Sequence, residues 1–141
     1  MVICVLKGAF VFFSDLVRRL QNRNLELDFV RLASYGKSDV SSGLVVFSKD
    51  VENDISGKHV LIVEDIVDSG RTMRFLLDQL AARHPRSLRL ATLVDKGERR
   101  QAKVEVDFAG FTLRQGFIVG YGLDYAERFR ALPGIFEIIP E

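Results

Sequence analysis

The sequence holds a single cysteine, Cys4, in 141 residues. That excludes an internal disulfide and a cysteine-built zinc site, and it fits a reducing cytosol. Tryptophan is absent and only three prolines occur, so no proline-rich linker divides the chain. The two histidines, His59 and His84, have no ligand partner at metal spacing and read as structural. An excess of one charge is also missing. Twenty Lys and Arg against nineteen Asp and Glu give a net charge of +1, which exerts no global pull on nucleic acid or membrane; any anion site must be local. Long apolar runs are lacking as well. Ala9 to Phe13 falls far short of the ~18 residues a membrane span needs, and no segment reads as a signal peptide. The expectation is a cytoplasmic protein.

What is there suffices for one domain, residues 1–141, with a real hydrophobic core. Val2 to Leu6 is a continuous apolar run, typical of a strand covered on both faces. It begins directly after Met1, so a native segment is expected ahead of it. Phe13, Leu16, Val17 and Leu20 then recur at helical spacing. Leu27 and Phe29 suggest a second strand, residues 35 to 43 a mobile polar loop, and Leu44 to Phe47 a return strand. Val60 to Val63 is another buried strand. Met73, Leu76, Leu77, Leu80 and Ala81 form a helical stripe that ends near His84-Pro85. Leu88 to Val94 and short strands around Val106 to Leu113, Phe117 to Val119 and Phe136 to Ile139 complete the chain. Such alternation predicts an α/β fold: an open, mostly parallel twisted sheet with helices on both faces. Ligands bind such sheets beyond the carboxyl ends of the strands. The loops after Leu6, Val63 and Val94 are therefore expected to converge on one edge.

The strongest signal runs from Val60 to Thr72: Val-Leu-Ile-Val-Glu64-Asp65-Ile-Val-Asp68-Ser69-Gly70-Arg71-Thr72. A buried strand ends in two carboxylates, and a short loop with a third carboxylate, a serine and a glycine leads into a helix. A helix start presents backbone N–H groups and the positive end of the dipole to a phosphate. Gly70 lets the backbone curl close to the anion, and Ser69 and Thr72 add hydroxyls. Carboxylates beside a phosphate cradle make sense if the ligand also brings hydroxyls and a divalent cation. The plainer reading, Asp68 and Ser69 as helix caps, suits an isolated Asp-Ser-Gly better than the full pattern. Neither a Walker A loop nor a dinucleotide glycine fingerprint is present.

This segment resembles the signature for 5-phosphoribosyl 1-diphosphate (PRPP) of the type I phosphoribosyltransferases. Nearly the whole chain is similar to the bacterial hypoxanthine-guanine branch of that family. The resemblance implies the type I phosphoribosyltransferase fold with Glu64 and Asp65 on the ribose hydroxyls or a magnesium ion, Asp68 as the catalytic carboxylate facing purine N7, and Asp68, Ser69, Gly70, Arg71 and Thr72 around the 5-phosphate, Arg71 through its backbone. Lys7 and Gly8 match the diphosphate loop, in which the peptide before the lysine can be cis. In Val94-Asp-Lys96-Gly-Glu-Arg99-Arg100, Lys96 resembles the lysine that donates to the purine 6-oxo group and Arg100 an arginine near the diphosphate; Arg99 reads as a solvated turn residue. In the segment Phe117 to Arg130, Phe117 would stack on the purine, the Ile118 backbone would read the base edge, Asp124 would help hold a second magnesium, and Arg130 would meet the diphosphate. Ser34 and Tyr35 open a loop like the family's mobile lid. The family also carries a helix and a strand ahead of the position of Met1. The strand helps build a hood over the base, so a small, incomplete hood is expected.

The implied activity is purine salvage: hypoxanthine or guanine plus PRPP gives IMP or GMP plus diphosphate, with Mg2+ as cofactor and a homo-oligomer, dimer or tetramer, as the working form. Two alternatives stay open from the residues. One is a xanthine-preferring sibling. The other is a non-catalytic PRPP-sensing regulator that binds nucleic acid, for which the neutral charge offers no basic face.

Overall fold

The apolar run directly after Met1 forms strand β1 (Val2–Leu6), whose side chains alternate between two cores. Strand geometry sends Ile3 and Val5 to one face and Val2 and Cys4 to the other. The computed structural model describes residues 1–35, 44–114 and 116–139. Helix α1 (Phe10–Arg19) follows β1, and its buried Phe13 packs with Val2, Cys4 and Val63. Next come β2 (Leu27–Tyr35), β3 (Leu44–Lys49), β4 (His59–Val67), helix α2 (Arg71–Ala81), β5 (Ser87–Asp95) and β6 (Phe108–Thr112). Met73, Leu76 and Leu80 of α2 pack with Ile3, Val5, Val30, Ile62 and Leu90 on the opposite face from α1. The expected sheet with helices on both faces is thus observed. Its strand order is β3-β2-β1-β4-β5-β6, parallel throughout except that β3 runs antiparallel to β2. Two short strands, β7 (Phe117–Val119) and β8 (Phe136–Ile138), make a separate antiparallel pair.

Three expectations are refined. First, β4 runs four residues beyond Val63, so Glu64 and Asp65 lie within a strand rather than after it. Pairing with β1 covers only Leu61–Val63 of β4, whereas pairing with β5 continues to Val67. The β5 partner keeps the backbone extended past the end of β1. Second, α2 stops at Ala81, and a turn carries the chain to His84, whose φ is +55°. Third, Ser34 and Tyr35 are the last residues of β2, paired with Val45 and Leu44; the rest of the expected lid, residues 36–43, lies outside the described residues. His84 contributes its carbonyl to the Gly57 N–H, and the His59 ring bonds the Ser87 hydroxyl across the β4–β5 ladder, both structural uses. Cys4 is free and buried, and burial, helped by the charges of Glu64 and Asp65, pushes its thiol up to about 12. It is a core residue, not a nucleophile.

No sequence pattern marks Asp28, a carboxylate only 3% exposed. It accepts hydrogen bonds from the backbone N–H groups of Phe29, Glu52 and Asn53 and from the Asn53 side chain. These pin the β3–β4 connection onto β2. Burial alone would raise its pKa, but the bonds from Asn53, Phe29 and Glu52 outweigh it and hold the carboxyl below 3.8. A folded pKa below the unfolded value gives stability that is present above about pH 4 and lost as pH falls through the folded value. Asp28→Asn is therefore expected to destabilise the protein by about 1–3 kcal/mol at pH 7. In urea titrations the gap to the parent should narrow below about pH 4, and a pH-independent gap would refute the assignment.

Candidate active site

The parallel order of β1, β4 and β5 brings the loops that follow them to one edge of the sheet. A cavity of about 960 Å³ opens there, between that edge and the β7–β8 pair. Asp65, Asp68, Lys96, Phe117, Ile118 and Asp124, six residues singled out from the sequence, all line it. Elements as far apart in sequence as β4 and β8 meet around one space.

On the β4 side, Asp68 faces the cavity with its Oδ1 buried and without a hydrogen-bond partner. A buried acceptor without a donor is costly unless a ligand supplies one. Beyond it, Gly70 is the N-cap of α2, at φ +79°, and makes no side-chain cap. The Ser69 hydroxyl accepts from the Arg71 N–H at 3.4 Å, whereas Asp68 Oδ1 takes no hydrogen bond; the first turn of α2 can still offer N–H groups to an anion. Ser69 and Gly70 are held from behind by the segment after β5. The N–H groups of Gln101 and Ala102 both donate to the Ser69 carbonyl. A Cβ at Gly70 would meet the Ala102 carbonyl and the Arg100 side chain at 2.9 Å, which only glycine avoids.

Arg100, expected near the diphosphate, is committed elsewhere. Its guanidinium donates to the carbonyls of Val67, Asp68 and Val104 and pairs with Asp95. A rigid fork of five donors suits such a brace, and lysine cannot reproduce it. Arg100→Lys is expected to cost about 1–3 kcal/mol in urea denaturation, with faster hydrogen exchange at residues 67–70; unchanged exchange there would count against bracing. Arg99, read from the sequence as a solvated turn residue, is exposed and also borders the cavity, as do Arg114, Glu98 and Glu137. Arg114 follows the end of β6, so the rule that sites lie beyond parallel strand ends would have found it.

On the other wall, Lys96 is oriented by one bond from its ammonium to the Gly116 carbonyl, 2.6 Å away, beside Phe117. Phe117 is 50% exposed, lines the cavity and makes a T-shaped contact with Tyr125, their ring centroids 5.3 Å apart. Ile118 is buried, so a ligand could meet it only through its backbone.

Lys7 and Gly8 lie between the two walls, behind a cis Leu6–Lys7 peptide. A Cβ on Gly8 would overlap the Asp65 carboxylate, and one on Gly122, at φ +100°, would overlap the Gly8 carbonyl. The backbone after β1 is thus sandwiched between β4 and the loop after β7, a spacing that only glycine permits. Arg130 donates to the Gly122 carbonyl and pairs with Asp124 and Glu127, while its Nε is buried without a partner. Lys7 reaches the same Glu127 at 2.6 Å.

Glu64 and Asp65 present adjacent carboxylates. Burial, then the charge of Asp65, holds the Glu64 carboxyl well above the usual carboxylate range. A divalent cation would relieve that repulsion, and magnesium needs only one or two protein carboxylates when water and phosphate oxygens complete its shell. The pair fits such an ion. Asp124 fits less directly, because its oxygens already accept from Arg130 and the Glu127 N–H. Among the described residues no group of three or more metal-ligating side chains occurs.

The phosphoribosyl transferase domain family matches residues 1–126. A hypoxanthine phosphoribosyltransferase of Buchnera aphidicola is 46% identical over 138 residues, 98% of this chain and 77% of that protein. The bifunctional protein TilS/HprT of Listeria monocytogenes is 47% identical over 141 residues, and the chain spans 22% of its length. The crystal structure of a hypoxanthine-guanine phosphoribosyltransferase from Bacillus anthracis superposes with a TM-score of 0.92 at 44% identity, covering 98% of this chain and 81% of that one. With the parallel sheet, the open start of α2 and the lined cavity already established, these matches show that the chain belongs to the phosphoribosyl transferase domain family.

Proposed function

We propose that the chain is a hypoxanthine-guanine phosphoribosyltransferase of purine salvage, which joins hypoxanthine or guanine to the ribose 5-phosphate of PRPP and releases diphosphate. The observation that carries this reading is the meeting of Asp68, Lys96 and Phe117 around one cavity, with the open N-terminus of α2 beside it. An aromatic face, a cationic donor and a carboxylate acceptor suit the face, the 6-oxo group and the N7 edge of a 6-oxopurine. The helix start, with Ser69, Gly70, Arg71 and Thr72, suits the 5-phosphate.

The reaction breaks the C1–oxygen bond to diphosphate and forms a bond from C1 to purine N9. As N9 attacks, Asp68 stabilises the N7 proton and takes it up. Lys7 and Arg130 offset charge on the departing diphosphate. Glu64 and Asp65 would hold magnesium, which when bound neutralises charge on the phosphate oxygens. Arg100 acts by bracing the phosphate loop. The working form this reading implies is a homo-oligomer. No helix among the described residues is long and apolar enough to cross a membrane.

The test is nucleotide formation from PRPP and magnesium with hypoxanthine, guanine, xanthine and adenine offered separately, followed by ultraviolet absorbance. Turnover of hypoxanthine or guanine without adenine supports the reading. A preference for xanthine would reassign the substrate, and no turnover with any base would overturn the activity.

A further inference from the structure

Two cations assigned above to the diphosphate, Lys7 and Arg130, come from positions more than 120 residues apart, yet both meet one carboxylate. Glu127 Oε2 lies 2.6 Å from Lys7 Nζ, and Glu127 Oε1 lies 3.3 Å from the Arg130 guanidinium. Arg130 also meets Asp124 at 2.8 Å. Two positive and two negative charges are therefore matched before any substrate arrives, and an entering diphosphate must take the place of a carboxylate. Asp124 is poorly suited to leave. It is 29% exposed and its second oxygen accepts the Glu127 N–H. Glu127 is suited to leave: its side chain is 65% exposed and can turn into solvent. Ala126, Glu127 and Phe129 all hold positive φ, at 50°, 64° and 75°. Non-glycine residues adopt that region at a cost, so a run of them marks a segment kept there by its contacts.

Resting on the diphosphate reading of Lys7 and Arg130, we infer that Glu127 is a built-in stand-in for diphosphate, a carboxylate that bridges the two cations in the empty site and competes with the ligand for them. Such a residue has two consequences. It keeps Lys7 and Arg130 in place before substrate binds, and it returns to them as the product diphosphate leaves, which favours release. Exposed ion pairs are weak, so the competition is modest and does not block the site.

The test is calorimetric titration of the full chain with inorganic diphosphate in the presence of magnesium. Glu127→Gln, which removes the competing charge and keeps the shape, is expected to tighten diphosphate binding about three- to tenfold and to lower the KM for PRPP in parallel. Binding of IMP, which carries no diphosphate, should change less than about twofold. A purely supporting role predicts the opposite sign, because loss of the bridge would disorder Lys7 and Arg130 and weaken diphosphate. Unchanged or weaker binding in Glu127→Gln therefore overturns the inference. Glu127→Asp, too short to bridge both cations, should fall between the parent and the glutamine variant, and it carries the same test if the glutamine variant does not fold. Lys7→Gln separates the two levels of the argument. If it fails to weaken diphosphate, the reading of Lys7 fails and the inference with it. If it weakens diphosphate while Glu127→Gln leaves the affinity unchanged, only the inference fails.

Discussion

Asp68→Asn is expected to lower kcat for hypoxanthine and guanine about 10²- to 10⁴-fold, the range lost with a general acid–base group. Binding of IMP weakens far less. The asymmetry follows from the chemistry. Asparagine keeps the size and one acceptor oxygen of Asp68, so a bound base still meets an acceptor. It cannot carry the negative charge that offsets the N7 proton as N9 bonds to C1, and that charge matters most in the transition state. Asp68 Oδ1 is buried and has no hydrogen-bond partner among the described residues, so a donor on the ligand would be its first partner. Steady-state kinetics with hypoxanthine and calorimetry with IMP decide the point: equal losses in rate and in nucleotide affinity would reduce Asp68 to a binding residue.

Lys96→Met is expected to cut kcat/KM for hypoxanthine and guanine about 10²- to 10³-fold, as removal of a single donor does in a preorganised site. Adenine should change little, so the margin between 6-oxo and 6-amino purines narrows. The reason lies in the mismatch that lysine imposes. An ammonium only donates, so it rewards a 6-oxo acceptor and leaves a 6-amino group facing a donor, the kind of unpaired contact that gives strong discrimination. Its bond to the Gly116 carbonyl fixes the head group at the cavity while donors remain. Competition assays with mixed bases measure the margin. A preserved preference for hypoxanthine in the methionine variant would transfer the selector role to Arg99 or Arg114, the other cations on the wall.

Much of the fold was legible in the sequence because its signals are local. The apolar run Val2 to Leu6, the helical stripe Met73-Leu76-Leu80 and the strand before Glu64 each depend on a period within one segment. The carboxylate, serine and glycine pattern from Glu64 to Thr72 placed the phosphate loop for the same reason. Where the structure refines the sequence reading, the deciding contact comes from elsewhere in the chain. Pairing with β5 carried β4 through Glu64 and Asp65. Nothing in Val-Asp-Lys-Gly-Glu-Arg-Arg tells Arg99 from Arg100; only the folded loop turns Arg99 to the cavity and Arg100 onto the carbonyls of Val67, Asp68 and Val104.

The sequence alone pointed to an α/β chain with a buried parallel sheet, a candidate phosphate-binding turn after its fourth strand and a set of candidate residues for a 6-oxopurine. Short-range periodicity and the chemistry of one loop suffice for the sheet and the turn; the 6-oxopurine candidates came from the family resemblance. Tertiary structure decided which candidates meet. It closed Gly8 between Asp65 and Gly122, buried Asp28 under the β3–β4 connection and joined Lys7 to Glu127 across the site. Those outcomes rest on contacts between segments tens of residues apart, and the spacing of residues along a chain carries no record of them until it folds.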